Sequence, residues 1–294
     1  MWRRSVGVRA LAVDDEEMNL VVAKGVLGSY GIKVDTCLSG KEAVARCAGA
    51  SYDIIFLDHM MPGFDGVETL KKIRELNGGV YQDLPVIALT ANTVSGAREM
   101  FRSEGFTEFV PKPIERTVLE RVLRKVLPKS SIRYSAKPAE KAAAAPVQEP
   151  QAVKPAPAES KEPPEAAPLP EVPTDGPPLP QDQLVQAGIN VELGLDYCGG
   201  DEDFFREMLR MFHAQAQEKR AEIVSLYEAE NWPDYAVKVH ALKSTSLTIG
   251  AEKLSAQAKE LELAGKRGDT DYIREHHPAL LCAHEELCAH IAGV

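Results

Sequence analysis

Five short apolar runs alternate with amphipathic stretches over residues 1–128. The runs are "VRALAV", "IKVDTC", "YDIIFLD", "LPVIALT" and "FTEFVPKP", and helical periodicity resumes near Glu16, Gly40, Gly66, Ser95 and Ile114. Short runs rich in Val, Ile and Phe read as strands, and the periodic stretches as helices. Five successive strand-helix units predict an open, doubly wound parallel sheet of the flavodoxin-like (βα)5 type, because parallel neighbours need a crossover and crossovers cover both faces.

From residue 183 the period is helical throughout. Phe205, Met208, Leu209, Phe212, Ile223 and Leu226 share one stripe behind an Asp201 cap, and further helices are predicted over 232–249, 251–266 and 271–291. The breaks are "NWP", "IGA" and "KRGDT". Four long amphipathic helices with short connections predict an antiparallel four-helix bundle, with a brief helix over 191–197 covering one end. The chain is thus α/β followed by all-α.

Between these units composition changes sharply. Residues 129–182 hold thirteen of the 20 prolines and no Phe or Trp. Such a Pro/Ala/Glu-rich stretch cannot bury a core, and is expected to be a disordered linker with an end-to-end distance of ~40 Å. The predicted division is therefore 1–128, 129–182 and 183–294. A net charge of -10 argues against nucleic acid as a partner. No apolar run is long enough to span a membrane, and the opening "MWRRSVGVRALAVDDEE" is interrupted by Arg9 and two aspartates, which argues against a secretory signal. The five cysteines include no C-x-x-C, so free thiols in a reducing cytoplasm are expected.

In a doubly wound sheet ligands sit outside the carboxyl ends of the strands. There the first unit places Asp14 and Asp15, Asp58, Thr90 and Lys112. Three carboxylates together favour a hard divalent cation with oxygen ligands, most plainly Mg²⁺. With repulsion screened, one carboxylate can attack a phosphoryl group while lysine and threonine hold its oxygens. Each residue alone also fits a cap or turn position.

The blocks "VDDEEMN", "DIIFLDHMMPGFDGVE", "ALTAN" and "VPKPI" resemble the signatures of response-regulator receiver domains over residues 8–127. The resemblance implies that Asp58 is the phosphoacceptor, that Asp14, Asp15 and Asp58 ligate Mg²⁺ with the Met60 backbone carbonyl, and that Thr90 and Lys112 bind phosphoryl oxygens. It also implies a switch pair, Thr90 and Phe109, and a cis bond from Lys112 to Pro113. Met60 and Asn92 flank the path of an attacking water, and apolar Met60 cannot orient one, so a slowly to moderately hydrolysed phosphoaspartate is expected. His59, one residue along from the acceptor, is expected to point away from the pocket.

In the second unit His240 lies roughly 130 degrees from the centre of its helix's apolar stripe, so it is expected to face outward rather than into the bundle core. Lys243 and Ser244 follow one turn later. A neutral imidazole is nucleophilic at cellular pH, and a phosphate on it gains from the lysine charge. "HALKSTSLTIGAEKLSAQAKELE" is similar to the signature of histidine phosphotransfer (HPt) domains, with similarity over about 189–291. That resemblance implies that His240 is phosphorylated and that Lys243 binds its phosphate. Ser244 stands where the family usually has glycine, at the docking position for an incoming receiver. His213, His276, His277, His284 and His290 match no metal-ligand spacing and are expected at the solvent or core edge.

No glycine-rich nucleotide block or P-loop is present, so a sensor histidine kinase is expected to act in trans. The expected role is two-component phosphorelay signalling in the cytoplasm, with Asp58 accepting a phosphoryl group and His240 exchanging it with its own receiver or with those of other response regulators. Two alternatives stand: a phosphate-independent two-domain scaffold, and a detached C-terminal part of a hybrid sensor kinase. Neither membrane insertion nor nucleic-acid binding is expected, and no feature of the sequence sets an oligomeric state.

Overall fold

The computed structural model describes residues 2–5, 7–91, 97–134 and 179–294. Most of the proline-rich stretch, and Asn92, lie outside the described residues. In chain order the first unit comprises β1 (Trp2–Ser5), β2 (Arg9–Val13), α1 (Glu17–Ser29), β3 (Lys33–Cys37), α2 (Gly40–Gly49) and β4 (Ile54–Asp58). It continues with α3 (Gly66–Glu75), β5 (Val86–Thr90), α4 (Ala97–Ser103), β6 (Glu108–Pro111), α5 (Arg116–Val126) and β7 (Ile132–Tyr134).

Strands β2 to β6 form one parallel sheet in the order β3-β2-β4-β5-β6. Period-2 alternation splits each central strand between two cores. Ala10, Ala12, Ile54 and Phe56 pack with Met18, Val22, Leu119 and Leu123 of α1 and α5. Leu11, Val13, Ile55 and Leu57 pack with Ala43, Cys47, Leu70 and Ile73 of α2 and α3. Strands buried on both faces read as continuous apolar runs, which is why the pattern was so legible.

Two elements depart from the expected pattern. Strand β1 pairs antiparallel with β7, so residues 129–134, expected in the linker, form a 3-10 turn and a strand that close the first unit. Neither strand is long enough to show alternation, and their pairing joins opposite ends of the unit. A short helix, α6 (Gln181–Gln186), likewise begins two residues before the expected boundary, with Leu179 and Leu184 in the core.

The second unit continues with α7 (Val191–Tyr197), α8 (Glu202–Glu228), α9 (Trp232–Thr248), α10 (Glu252–Arg267) and α11 (Thr270–Ile291). Caps fix the starts: Asp201 accepts from Phe204 N at 3.0 Å and Asp269 from Tyr272 N at 3.2 Å. Between α9 and α10 Gly250 takes φ +78°, and a Cβ there would lie 2.2 Å from the Asn190 carbonyl oxygen. Only glycine allows that close return, which ties α7 to the α9–α10 turn. Among the described residues no helix is long and apolar enough to cross a membrane.

Candidate functional site

The carboxyl ends of β2, β4, β5 and β6 bring Asp14, Asp15, Asp58, Thr90 and Lys112 to one small surface, as expected. Strand pairing makes this unavoidable, because Asp58 is in register with Leu89 and Thr90 with Pro111. The Lys112 ammonium lies 2.6 Å from Asp14 Oδ2 and 2.7 Å from Asp58 Oδ2. Asp14 also accepts from Glu16 N at 3.1 Å and Asn19 Nδ2 at 3.0 Å. The Met60 amide donates to Asp58 Oδ1 at 3.2 Å, and the Lys112 amide donates to the Thr90 carbonyl at 2.8 Å. The Lys112 to Pro113 bond is cis.

Burial dominates the electrostatics. It pushes the Asp58 carboxyl up to about 7, with Lys112 opposing and Asp14 adding to the rise. Asp15 is raised by burial and then by the charge of Asp14. Burial alone would lower Lys112, but Asp14 and Asp58 outweigh it and hold the ammonium charged. One ligand oxygen from each of Asp14, Asp15 and Asp58 lies within 4.8 Å of the others. Three carboxylates with one cation between two of them, and Asp15 raised by its neighbour, fit an oxygen-ligated divalent ion.

The flanking residues fall as follows. His59 turns away from the pocket, 3.3 Å from Glu104 and edge-on to Phe101. Phe109 is half-buried against Phe101. Gly66 at the start of α3 runs so close beneath the acceptor that a Cβ there would lie 2.4 Å from the Asp58 carbonyl oxygen.

His240 differs from expectation. It is only 3% exposed. The outward, solvent-facing placement that the stripe geometry predicted is not what the structure has: α10 of the same bundle lies against that face and meets the imidazole with the buried Glu262, and α1 of the first unit packs on α8 and α9 beside it. Its Nδ1 lies 2.8 Å from Glu262 Oε1, and its Nε2 is buried with no hydrogen-bond partner among the described residues. Burial lowers the imidazole to about 4, with Glu262 opposing and the charges of Lys243 and Lys112 adding to the fall. The ring is therefore neutral at pH 7, with Nδ1–H held by the carboxylate and the Nε2 lone pair free.

Glu262 is the residue that the sequence reading missed. It also receives Lys243 Nζ and Lys266 Nζ, both at 2.5 Å. Its carboxyl, despite burial, is held far below the usual range by His240 and Lys243. The signal was present: Ser255, Ala258 and Glu262 follow i, i+3, i+7 spacing on the buried face of α10. Ser244, the expected docking residue, is buried, and its hydroxyl turns back to the His240 carbonyl at 3.3 Å. His277 and His284 are core groups: one stacks on Tyr227 at 3.9 Å, the other meets Phe212 edge-on at 5.6 Å.

Comparison with known proteins divides the chain in the same way. A family model for the response regulator receiver domain matches residues 10–124, and one for the Hpt domain matches residues 207–290. The chain is 33% identical over 127 residues to the signal transduction histidine-protein kinase BarA of Escherichia coli, covering 43% of this chain and 14% of that one. It is 34% identical over 118 residues to two-component response regulator 24 of Arabidopsis thaliana, covering 40% of this chain and 82% of that one. Chemotaxis protein CheY4 of Vibrio cholerae aligns at 30% identity and TM-score 0.38, covering 42% of this chain and 100% of that one. The chain thus spans a small part of the kinase it matches and most of the response regulator. It belongs to the response regulator receiver family, with an Hpt domain following in the same polypeptide.

Proposed function

We propose that the chain is a phosphorelay intermediate, in which Asp58 accepts a phosphoryl group from a kinase phosphohistidine and His240 exchanges phosphate reversibly with a receiver aspartate. The observation that carries this reading is Lys112, poised at 2.6 and 2.7 Å between Asp14 and Asp58 in a pocket of three convergent carboxylates. Asp14, Asp15, Asp58 and the Met60 carbonyl would hold Mg²⁺, which when bound screens the carboxylates and draws charge from phosphoryl oxygens. Asp58 Oδ is the nucleophile, Lys112 receives the oxygen charge that develops on phosphorus, and the Thr90 hydroxyl holds a further oxygen. Thr90 and Phe109 would report the state of the site by moving together.

At the second station the His240 Nε2 lone pair takes the phosphoryl group. Glu262 keeps the proton on Nδ1 and balances the positive ring; Lys243, whose Nζ lies 3.4 Å from Nδ1 and 2.5 Å from Glu262, sits on the opposite side of the ring from Nε2 and would have to swing off that carboxylate to reach the phosphate. The functional division we propose is a receiver whose expected span of 1–128 is extended to residue 134 by the β1–β7 pair, and a phosphotransfer domain whose expected span of 183–294 is extended back to residue 179 by Leu179 and α6. Partners are a sensor histidine kinase acting in trans and the receivers of other response regulators, in the cytoplasm, with neither nucleic-acid binding nor membrane insertion.

The test is intact-mass spectrometry after incubation with acetyl phosphate and Mg²⁺, with Asp58→Asn and His240→Gln controls. One phosphate should appear, require Mg²⁺, and vanish in Asp58→Asn. Unchanged labelling of Asp58→Asn refutes the assignment.

A further inference from the structure

The two units meet across a defined surface. The Lys219 ammonium of α8 forms an ion pair with the Glu16 carboxylate just before α1, and both side chains are largely buried, at 17% and 9% exposure. Beside it Gln215 Nε2 donates to Glu17 Oε2 at 3.3 Å. Lys266 Nζ, which also holds Glu262, lies 3.2 Å from Met60 Sδ at the rim of the acidic pocket. Phe204 packs on Gly25, where a Cβ would lie 3.0 Å from its ring. The apolar core runs unbroken from the α1 and α5 side of the sheet into the helical bundle.

Charge is matched across this surface. The acidic side presents Asp14, Asp15, Glu16 and Glu17; the helical side brings Lys219, Lys238 and Lys266. Lys238 acts on Asp15, and Lys219 feels both Asp14 and Asp15. Burial lowers Lys219 to about 8, with Asp15 and Asp14 opposing the fall. His240, whose Nε2 is buried with no hydrogen-bond partner among the described residues, lies close enough to the first unit to feel the charge of Lys112.

We infer that the phosphotransfer domain seats on its own receiver through the Lys219–Glu16 latch, so that His240 exchanges phosphate with Asp58 of the same chain while the seated state closes both residues to an outside protein. This rests on the phosphorelay reading above. In the exchange the Nε2 lone pair forms an N–P bond as the P–O bond to Asp58 breaks. The carboxylate leaves with the bonding pair, and the Nδ1 proton stays between the ring and Glu262. The return step reverses each change. Transfer to another protein then requires the latch to open, which makes Lys219 a positioning residue for partner choice.

Glu17→Cys with Gln215→Cys, in a full-length chain carrying Cys282→Ser, tests the seat directly. The parent side chains meet only at their tips, too far apart at the backbone for a direct disulfide, so a bismaleimide with a reducible disulfide in its spacer joins the two thiols; the product should run at monomer mass. Adding Lys219→Glu should cut its yield at least tenfold, and Glu16→Lys with Lys219→Glu should restore it. The crosslinked chain, charged at Asp58, should pass phosphate to its own His240 at a rate independent of protein concentration. It should pass little to the receiver of a second chain carrying His240→Gln, and reduction of the spacer should raise that transfer several-fold. A crosslink only at dimer mass, or none, overturns the seat; so does equal transfer to the second chain before and after reduction. Labelling of Asp58 and His240 in the reduced chain is scored separately. If both are labelled while the crosslink fails, the seat falls and the relay reading stands; if neither is labelled, the relay reading falls.

Discussion

Replacing Glu262 by Gln should slow phosphorylation of His240 by about 30-fold. The carboxylate accepts Nδ1–H at 2.8 Å and is itself nearly inaccessible. When Nε2 bonds to phosphorus the ring becomes positive, about 4 Å from the carboxylate centre. At an effective dielectric of about 20 such a pair is worth roughly 4 kcal/mol. Lys243 and Lys266 already share that carboxylate at 2.5 Å. They neutralise roughly half its effect, leaving about 2 kcal/mol, or about 30-fold at 1.4 kcal/mol per decade. Glutamine preserves volume and an acceptor oxygen, so the Nδ1–H tautomer survives and only charge is lost. The assay is phosphorylation by phosphoramidate in an Asp58→Asn background, followed by intact mass, with a thermal melt to confirm folding. Because burial holds His240 near 4, the parent rate should also be flat from pH 6 to 8, where an ordinary imidazole would show an inflection near 6.5. A folded Glu262→Gln chain within threefold of its parent refutes the reasoning.

Lys112→Ala leaves Asp14 and Asp58 without their shared cation and should lower acetyl phosphate labelling of Asp58 by ~100-fold, read by intact mass; a loss under fivefold counts against the proposed role. Gly250→Ala forces a side chain into φ +78° and against the Asn190 carbonyl; denaturant unfolding should show a loss of at least ~2 kcal/mol, whereas Gly268→Ala, with open space for its Cβ, should lose less. His277 and His284 are each lowered by burial from 6.5 to about 4. The unfolded chain therefore binds more protons between those limits. Stability from these groups is intact above 6.5 and is lost on acidification toward 4, by up to ~1.4 kcal/mol per pH unit for each histidine. Phenylalanine at both positions should lessen the slope of a denaturant-midpoint against pH curve over that range, leaving the part due to His240, which burial lowers in the same way.

The sheet was legible because its strands are buried on both faces, so Leu11 and Val13 on one side and Ala10 and Ala12 on the other leave no polar interruption. Asp58, Thr90 and Lys112 follow from the same logic, since a polar residue ending such a run must lie at the sheet's carboxyl edge. The β1–β7 pair and α6 were not legible. Their stability comes from long-range pairing and packing, with too few residues to carry a period. The Lys219–Glu16 latch has no local signature either: each residue alone reads as an ordinary solvated charge.

His240 shows where helical-wheel reasoning stops. A wheel relates a residue to the apolar stripe of its own helix, and it did not foresee that α10 of the same bundle would meet the opposite side through Glu262. What lies beyond that face is decided by tertiary docking, yet α9 carried a hint. From Ala241 to Thr248 Lys243 is the one charged residue, so this part of the helix has no face suited to water. Three of its four hydroxyls are satisfied within the helix: Ser244 donates to the His240 carbonyl at 3.3 Å, Thr245 to the Ala241 carbonyl at 3.0 Å and Thr248 to the Ser244 carbonyl at 3.1 Å, while the buried Ser246 hydroxyl has no partner among the described residues. A helix most of whose hydroxyls bond back to its own carbonyls can be buried on every side at little cost, here with Ser246 as the one hydroxyl of the run left without a partner among the described residues. The run "ALKSTSLT" therefore describes a helix covered twice, once by its bundle and once by a second surface.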